Sequence, residues 1–180
     1  MADHEEPHVS TTDSLEHRLA AAVERQGNAV TVRRAATLLA GGYEGEDFLR
    51  VVGGEHAEGI LSGAPALYWP ELWGARALLY VWDDTADSAV AAVIAGLANR
   101  SWRVREMSLR VSAARSLVAA SELVPLTRDE HPRVRAAAAR AIAVLGDEVS
   151  DAGTLEAMLR DPDKEVRRAA QQSLTALRGR

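Results

Sequence analysis

The feature that most constrains this chain is a short motif that returns at nearly constant spacing. VRRAATLLA begins at Val32, VREMSLRVS at Val104, VRAAAARAIAVL at Val134 and VRRAAQQSLTAL at Val166. The last three starts lie 30 and 32 residues apart. Thirty residues before Val104, Gly74 opens GARALLYVW, which fits the same frame with Val-Arg replaced by Gly-Ala. From Val32 to Gly74 is 42 residues, one repeat with roughly twelve extra. Self-similarity at such a period marks stacked supersecondary units, each too small to bury its own apolar face.

Each unit reads as a helical hairpin. In the last, SDAGTLEAMLR supplies an amphipathic first helix with Ser150 or Asp151 as N-cap. DPD makes the turn, and Pro162 suits the first turn of the following helix. There Val166, Ala169, Ala170, Ser173, Leu174 and Leu177 share one face at helical periodicity. The fourth unit repeats this with His131-Pro132, then Val134, Ala137, Ala138, Ala141 and Leu145. Five such hairpins account for residues 13–178.

These residues resemble the HEAT-repeat family, in particular its short bacterial type, the PBS-lyase HEAT-like repeats. That type is marked by an Asp-Pro turn, then Val-Arg, two residues and paired small residues. DPDKEVRRAAQQSL is a close match, EHPRVRAAAARAI a good one, the first and third units match in part and the second poorly. The resemblance implies an all-α, right-handed α-solenoid of about five hairpins. It also implies a buried ladder in which the arginine after the valine pairs with the turn aspartate. Arg33, Arg105, Arg135 and Arg167 hold that position, while Ala75 interrupts it in the second unit. About function the resemblance says little, because HEAT-like arrays serve as scaffolds, adaptors and occasionally enzymes.

The informative positions are those that turn away from the core. With the valine at 0° and 100° per residue, the positions one before and six after it point to the opposite side. Along the units these are Thr31 and Leu38, Trp73 and Tyr80, Arg103 and Arg110, Arg133 and Arg140, then Glu165 and Gln172. In a HEAT-like solenoid the second helices line the concave side, so the resemblance makes these pairs a stripe across the inner surface. Trp69 and Arg76 fall on the same face as Trp73. Trp82 points to the core flank and is expected to fill the space left by Gly74 and the missing ladder arginine. The alternative for Trp73 is burial, under a neighbouring helix or under the insert. That insert, an irregular glycine-rich segment at 41–69, holds seven of the thirteen glycines within residues 41–63.

Composition narrows the function classes. Hydrophobic residues make up 47% and aromatics 4%, an alanine-heavy balance that favours helices. There is no cysteine, which excludes disulfides and thiolate chemistry. The acidic start MADHEEPHVSTTDS is read as a disordered tail over residues 1–12, followed by one HEAT-like domain over 13–180, and the protein as cytoplasmic with no membrane contact. Net charge is −5, made of −9 over residues 1–98, +4 over 99–128 and zero over 129–180.

No catalytic or metal site emerges. HEEPH at residues 4–8 has the spacing of a zinc-protease motif, but Pro7 in a polar tail argues against the helix that would align its histidines. The repeated His-Glu pairs of HEAT-like di-iron hydroxylases are missing, and His17, His56 and His131 are dispersed. Nothing marks a bilin lyase. Trp73, Tyr80, Asp83, Arg103 and Arg110 can be drawn as the aromatic and basic set of a HEAT-like DNA glycosylase, against the acidity and shortness of the chain.

The sequence therefore reads as a non-enzymatic interaction module without cofactor, monomeric or dimeric. It would bind an acidic, partly apolar protein or peptide through Trp69, Trp73, Arg76, Tyr80, Arg103, Arg110, Arg133 and Arg140. The alternatives are a nucleic-acid-binding or DNA-lesion-processing protein and, third, a self-associating structural module.

Overall fold

A computed structural model of the chain describes residues 10–179. Among them are eleven α-helices and no strand. They are α1 (Leu15–Gln26), α2 (Asn28–Leu39), α3 (Gly45–Gly53), α4 (Glu55–Leu61), α5 (Trp69–Ala77), α6 (Asp87–Gly96), α7 (Trp102–Arg115), α8 (Ala120–Leu123), α9 (Pro132–Leu145), α10 (Glu148–Met158) and α11 (Lys164–Arg178). A 3-10 turn, Val124–Arg128, links α8 to α9. The chain gathers into two compact units, one ending at Ala92 and the other beginning at Val93.

In the first unit α2 packs on α5, α1 on α2 and α3, and α3 on α4 and α5. The crossing of α2 and α5 is set by Gly74. A Cβ there would lie 2.5 Å from the Ala35 carbonyl oxygen and 2.8 Å from the Leu39 nitrogen, so backbone meets backbone. The space expected at Gly74 is taken by α2 backbone rather than by Trp82. Trp82 is half-buried, and its indole Nε1 donates to Asp84 Oδ1 at 3.0 Å.

The segment read as an irregular insert is largely helical. It carries α3 and α4, and α3 buries Phe48, Leu49, Val51 and Val52. Its apolar positions, spaced three and four apart, give one side that must be covered. Arg18 of α1 secures it. This buried guanidinium donates to the Val51 carbonyl at 2.8 Å, to that of Thr11 at 3.2 Å and to that of Asp13. Burial, with Arg76 nearby, lowers its pKa against the pull of Asp13.

In the second unit α9 lies between α7 and α11, with α8, the 3-10 turn and α10 packed along them. Being flanked on two sides explains the alanines of α9. Ala136, Ala137, Ala138, Ala139, Ala141 and Ala143 are all buried, and small side chains let three helices approach closely. Val104, Val134 and Val166 are fully buried at 0%, as the repeat frame requires. All six residues assigned to the core face of α11 are buried as well. The N-cap of α10 is Asp147, accepting from the N–H groups of Val149 and Ser150, three residues before the earliest cap expected.

Candidate functional site

The arginines after the repeat valines divide sharply. Arg105 holds Asp129 in a fork, Nε to Oδ2 at 2.7 Å and an NH2 group to Oδ1 at 2.9 Å. Arg135 holds Asp161 in the same way, at 2.7 and 2.9 Å. Each also donates back to the turn before its own helix, Arg105 to the Asn99 and Arg100 carbonyls and Arg135 to those of Asp129 and Glu130. One guanidinium thus ties its own turn to the next, which is a ladder.

The electrostatics follow. Burial would raise the Asp129 carboxyl, but Arg105 and the His131 N–H together hold it below the usual carboxylate range. The Arg135 hydrogen bond does the same for Asp161, against its burial. Both arginines are held above their ordinary values, chiefly by these hydrogen bonds.

The other two ladder positions differ from expectation. Arg167 keeps its bonds to the Asp161 and Pro162 carbonyls, at 2.8 and 2.9 Å, but is exposed and holds no carboxylate among the described residues. Arg33 is exposed and forms no rung: the carboxylate of a rung comes from the turn before the next second helix, and residues 62–68 before α5 contain no aspartate. Its neighbour Arg34 does the tying instead. It reaches Glu44 at 3.3 Å, Asp47 at 3.1 Å and Gln26 at 2.8 Å, and covers the Phe48 ring at 4.4 Å.

The eight residues assigned to partner binding fall four to each unit. In the first, Trp73 is 7% exposed and belongs to the core. Its ring lies against Gly53 of α3, where a Cβ would come within 2.6 Å of it. Covering by the helical insert is the reason. Thr31 and Leu38, likewise assigned to the outer side, are buried because α2 is packed on more than one flank. Trp69 is half-buried, its ring 6.1 Å from that of Trp73 and 5.0 Å from that of Tyr68. Tyr80 is exposed but lies beyond the end of α5 at Ala77, so it does not share a helix face with Trp73. Arg76 is exposed.

In the second unit the outward arginines remain outward. Arg110, Arg133 and Arg140 are exposed and form no ion pair among the described residues. Arg103 is half-buried, its guanidinium 4.3 Å from the centre of the Trp102 ring. Arg133 approaches the same ring at 5.8 Å. Trp102 itself stacks on His131, centroids 3.8 Å apart and planes 6° from parallel. The His131 Nδ1 accepts the Arg133 N–H at 3.3 Å and so caps α9. Beside this stack runs a groove of about 480 Å³. Pro132, Arg133, Ala136 and Arg140 of α9 line it with Glu106 of α7 on one flank, and Asp163 and Glu165 from the start of α11 on the other. Such a surface can hold anionic groups in fixed positions by charge-assisted hydrogen bonds.

Trp102 and His131 escape a reading based on helix faces. They are 29 residues apart, Trp102 two positions before Val104 and His131 three before Val134. The one signal that could have joined them is that this separation is close to the repeat length, which brings equivalent turns of adjacent units together.

Among the described residues, no three His, Cys, Asp or Glu side chains gather as a metal site requires. His4, Glu5 and His8 of HEEPH lie outside the described residues. None of the described helices is long and apolar enough to cross a membrane. Comparison with curated proteins and with solved structures gave no match. Residues 90–175 match the family described as HEAT repeats. The Val-Arg motifs at Val104, Val134 and Val166, the Asp129 and Asp161 turns, and α7, α9 and most of α11 lie in that stretch, which is thus similar to HEAT repeats.

Proposed function

We propose that this protein is a non-enzymatic, cytoplasmic interaction module of the α-solenoid kind, its hairpins stacked in a right-handed array. Its second unit takes an acidic, partly apolar segment of a partner protein on the face made by α7, α9 and α11. HEAT repeats commonly mediate protein interactions, which supports the general class. The observation that carries the reading is the contrast between two sets of arginine on the same helices. Arg105 and Arg135 are engaged with internal carboxylates, whereas Arg110, Arg133 and Arg140 face outward with none among the described residues.

Exposed, unpaired arginine beside a rigid aromatic stack is the composition of a binding hot spot. Trp102 on His131 supplies the aromatic part that Trp73 cannot. The carboxylates of Glu106, Asp163 and Glu165 at the groove weigh against a continuous polyanion such as nucleic acid, which needs a broad basic field.

The test is fluorescence anisotropy of labelled acidic peptides, as a mixed pool, and of single-stranded DNA, with the wild-type chain and Arg133→Ala/Arg140→Ala. The pool should bind, more weakly as salt is raised, and the double variant should lose that binding. Undiminished binding by the double variant would overturn the reading. So would binding of DNA without the pool.

A further inference from the structure

Two outward arginines from different helices meet at one ring. Arg103 is the second residue of α7 and Arg133 the second of α9, the same place in successive repeats. The Arg103 guanidinium lies 4.3 Å from the centre of the Trp102 ring and that of Arg133 5.8 Å from it. Both stand in the range where an aromatic face attracts a cation. Trp102 is itself held. It is half-buried against the core of the second unit, and His131 stacks on it at 3.8 Å and 6° from parallel. His131 is fixed in turn by the Arg133 N–H that its Nδ1 accepts at the start of α9. Arg140 lines the same groove, yet it rests over no ring among the described residues.

Resting on the reading that this face takes an acidic segment, we infer that Trp102 is a positioning residue. It holds Arg103 and Arg133 in place for the partner's carboxylates, with His131 as its backing, and does not receive the partner on its own ring. The reason lies in what the indole already carries. An imidazole is stacked on it and a guanidinium stands over it, so little π surface is left for an arriving side chain. A mobile arginine gives up rotamers when it pairs with a carboxylate, and that ordering opposes binding. An arginine resting on a ring has given them up beforehand, and its guanidinium can still donate through its edge. Arg103 and Arg133 thus meet the partner already ordered, whereas Arg140 is ordered only by the partner.

The mixed acidic peptide pool, titrated against the full chain by anisotropy, tests this with Trp102 variants combined with each arginine in turn. Trp102→Leu should weaken binding about two- to fivefold, the effect of a cation–π contact at a partly exposed site. Trp102→Phe keeps an aromatic face and should recover most of the affinity. His131→Asn retains a side chain able to cap α9 but removes the stacked ring, and should fall between the two. In the Arg103→Ala or Arg133→Ala background Trp102→Leu should cost little more, while in the Arg140→Ala background it should keep its full effect. A tryptophan with a merely structural role would act alike in all three. Urea midpoints establish that each variant is folded in the assay, and His131→Asn carries the same cycles if Trp102→Leu is not. Without any peptide, the Arg103 Nε–H resonance should show a ring-current shift in proton–nitrogen correlation spectra, lost in Trp102→Leu and kept in Trp102→Phe. Equal effects in all three arginine backgrounds, a Phe variant no better than the Leu variant, or an unmoved Arg103 resonance overturns the inference. If the pool binds and Trp102→Leu leaves its affinity unchanged, the inference falls while the interaction-module reading stands. If nothing acidic binds the wild-type chain, that reading falls and the inference with it.

Discussion

Replacing Arg105 by methionine keeps an unbranched apolar stem and removes the guanidinium. The Arg105 side chain is 10% exposed and that of Asp129 7%, so the substitution strands a carboxylate largely out of water. It deletes the fork to Asp129 and the bonds to the Asn99 and Arg100 carbonyls. Removing one partner of a buried pair costs about 3–5 kcal/mol. Asp129 retains the His131 N–H, which places the expected loss near the low end, about 3 kcal/mol. For a chain of this length that lowers the thermal midpoint by about 6–12 °C. Arg167→Met is the internal comparison. It removes two bonds to exposed carbonyls and strands no charge, at a cost of about 0.5–1 kcal/mol. Urea denaturation followed by far-UV circular dichroism measures both. The double variant Arg105→Met/Asp129→Asn removes the stranded charge, and its loss should fall short of the summed single effects by about 1–3 kcal/mol. The ladder argument is refuted if Arg105→Met costs no more than Arg167→Met, or if the double-variant cycle is additive.

Three other outcomes follow from the same geometry. Asp129 and Asp161 are depressed when folded, so their contribution is complete above the unfolded carboxylate value of about 4 and is lost as pH falls through the lower folded values. Stability should therefore drop below about pH 4, and Asp129→Asn/Asp161→Asn should flatten that limb of the curve; an unchanged acid limb would remove these residues as its source. Gly74→Ala should destabilise by about 1–3 kcal/mol because its Cβ meets α2 backbone, whereas Gly153→Ala, with nothing within 4 Å, should stabilise by about 0.5–1 kcal/mol, both read from urea midpoints. Trp73→Ala should cost about 3–5 kcal/mol of stability, and Tyr80→Ala should stay within about 0.5 kcal/mol, a contrast that reverses if Trp73 is a surface residue.

The second helices of the later repeats are legible in the amino-acid order alone. Their apolar positions recur at helical spacing, and burial of one face is a local demand that the chain states residue by residue. The same frame locates Arg105 and Arg135, because a rung joins equivalent turns one repeat apart. It also places Arg110, Arg133 and Arg140 outward, since among the described residues nothing covers those positions of α7 and α9. In the first half the frame misleads. Arg33 has the right neighbours in sequence, but the turn it would serve lacks an aspartate, and Arg34 meets Glu44 and Asp47 instead.

What the sequence by itself determined is the helical repeat, its core face and two rungs of its ladder, all consequences of periodicity within and between units. What only the tertiary structure decided is whether the opposite face is covered. Trp73 became core because α3, some twenty residues upstream, lies across it, and Gly74 is glycine because α2 passes at backbone distance. Trp102 and His131 meet because two turns from successive repeats come side by side. Helix periodicity says which side of a helix is apolar. It carries no information about a distant segment that arrives from elsewhere in the chain, and in this protein that arrival separates a buried tryptophan from an arginine-lined groove.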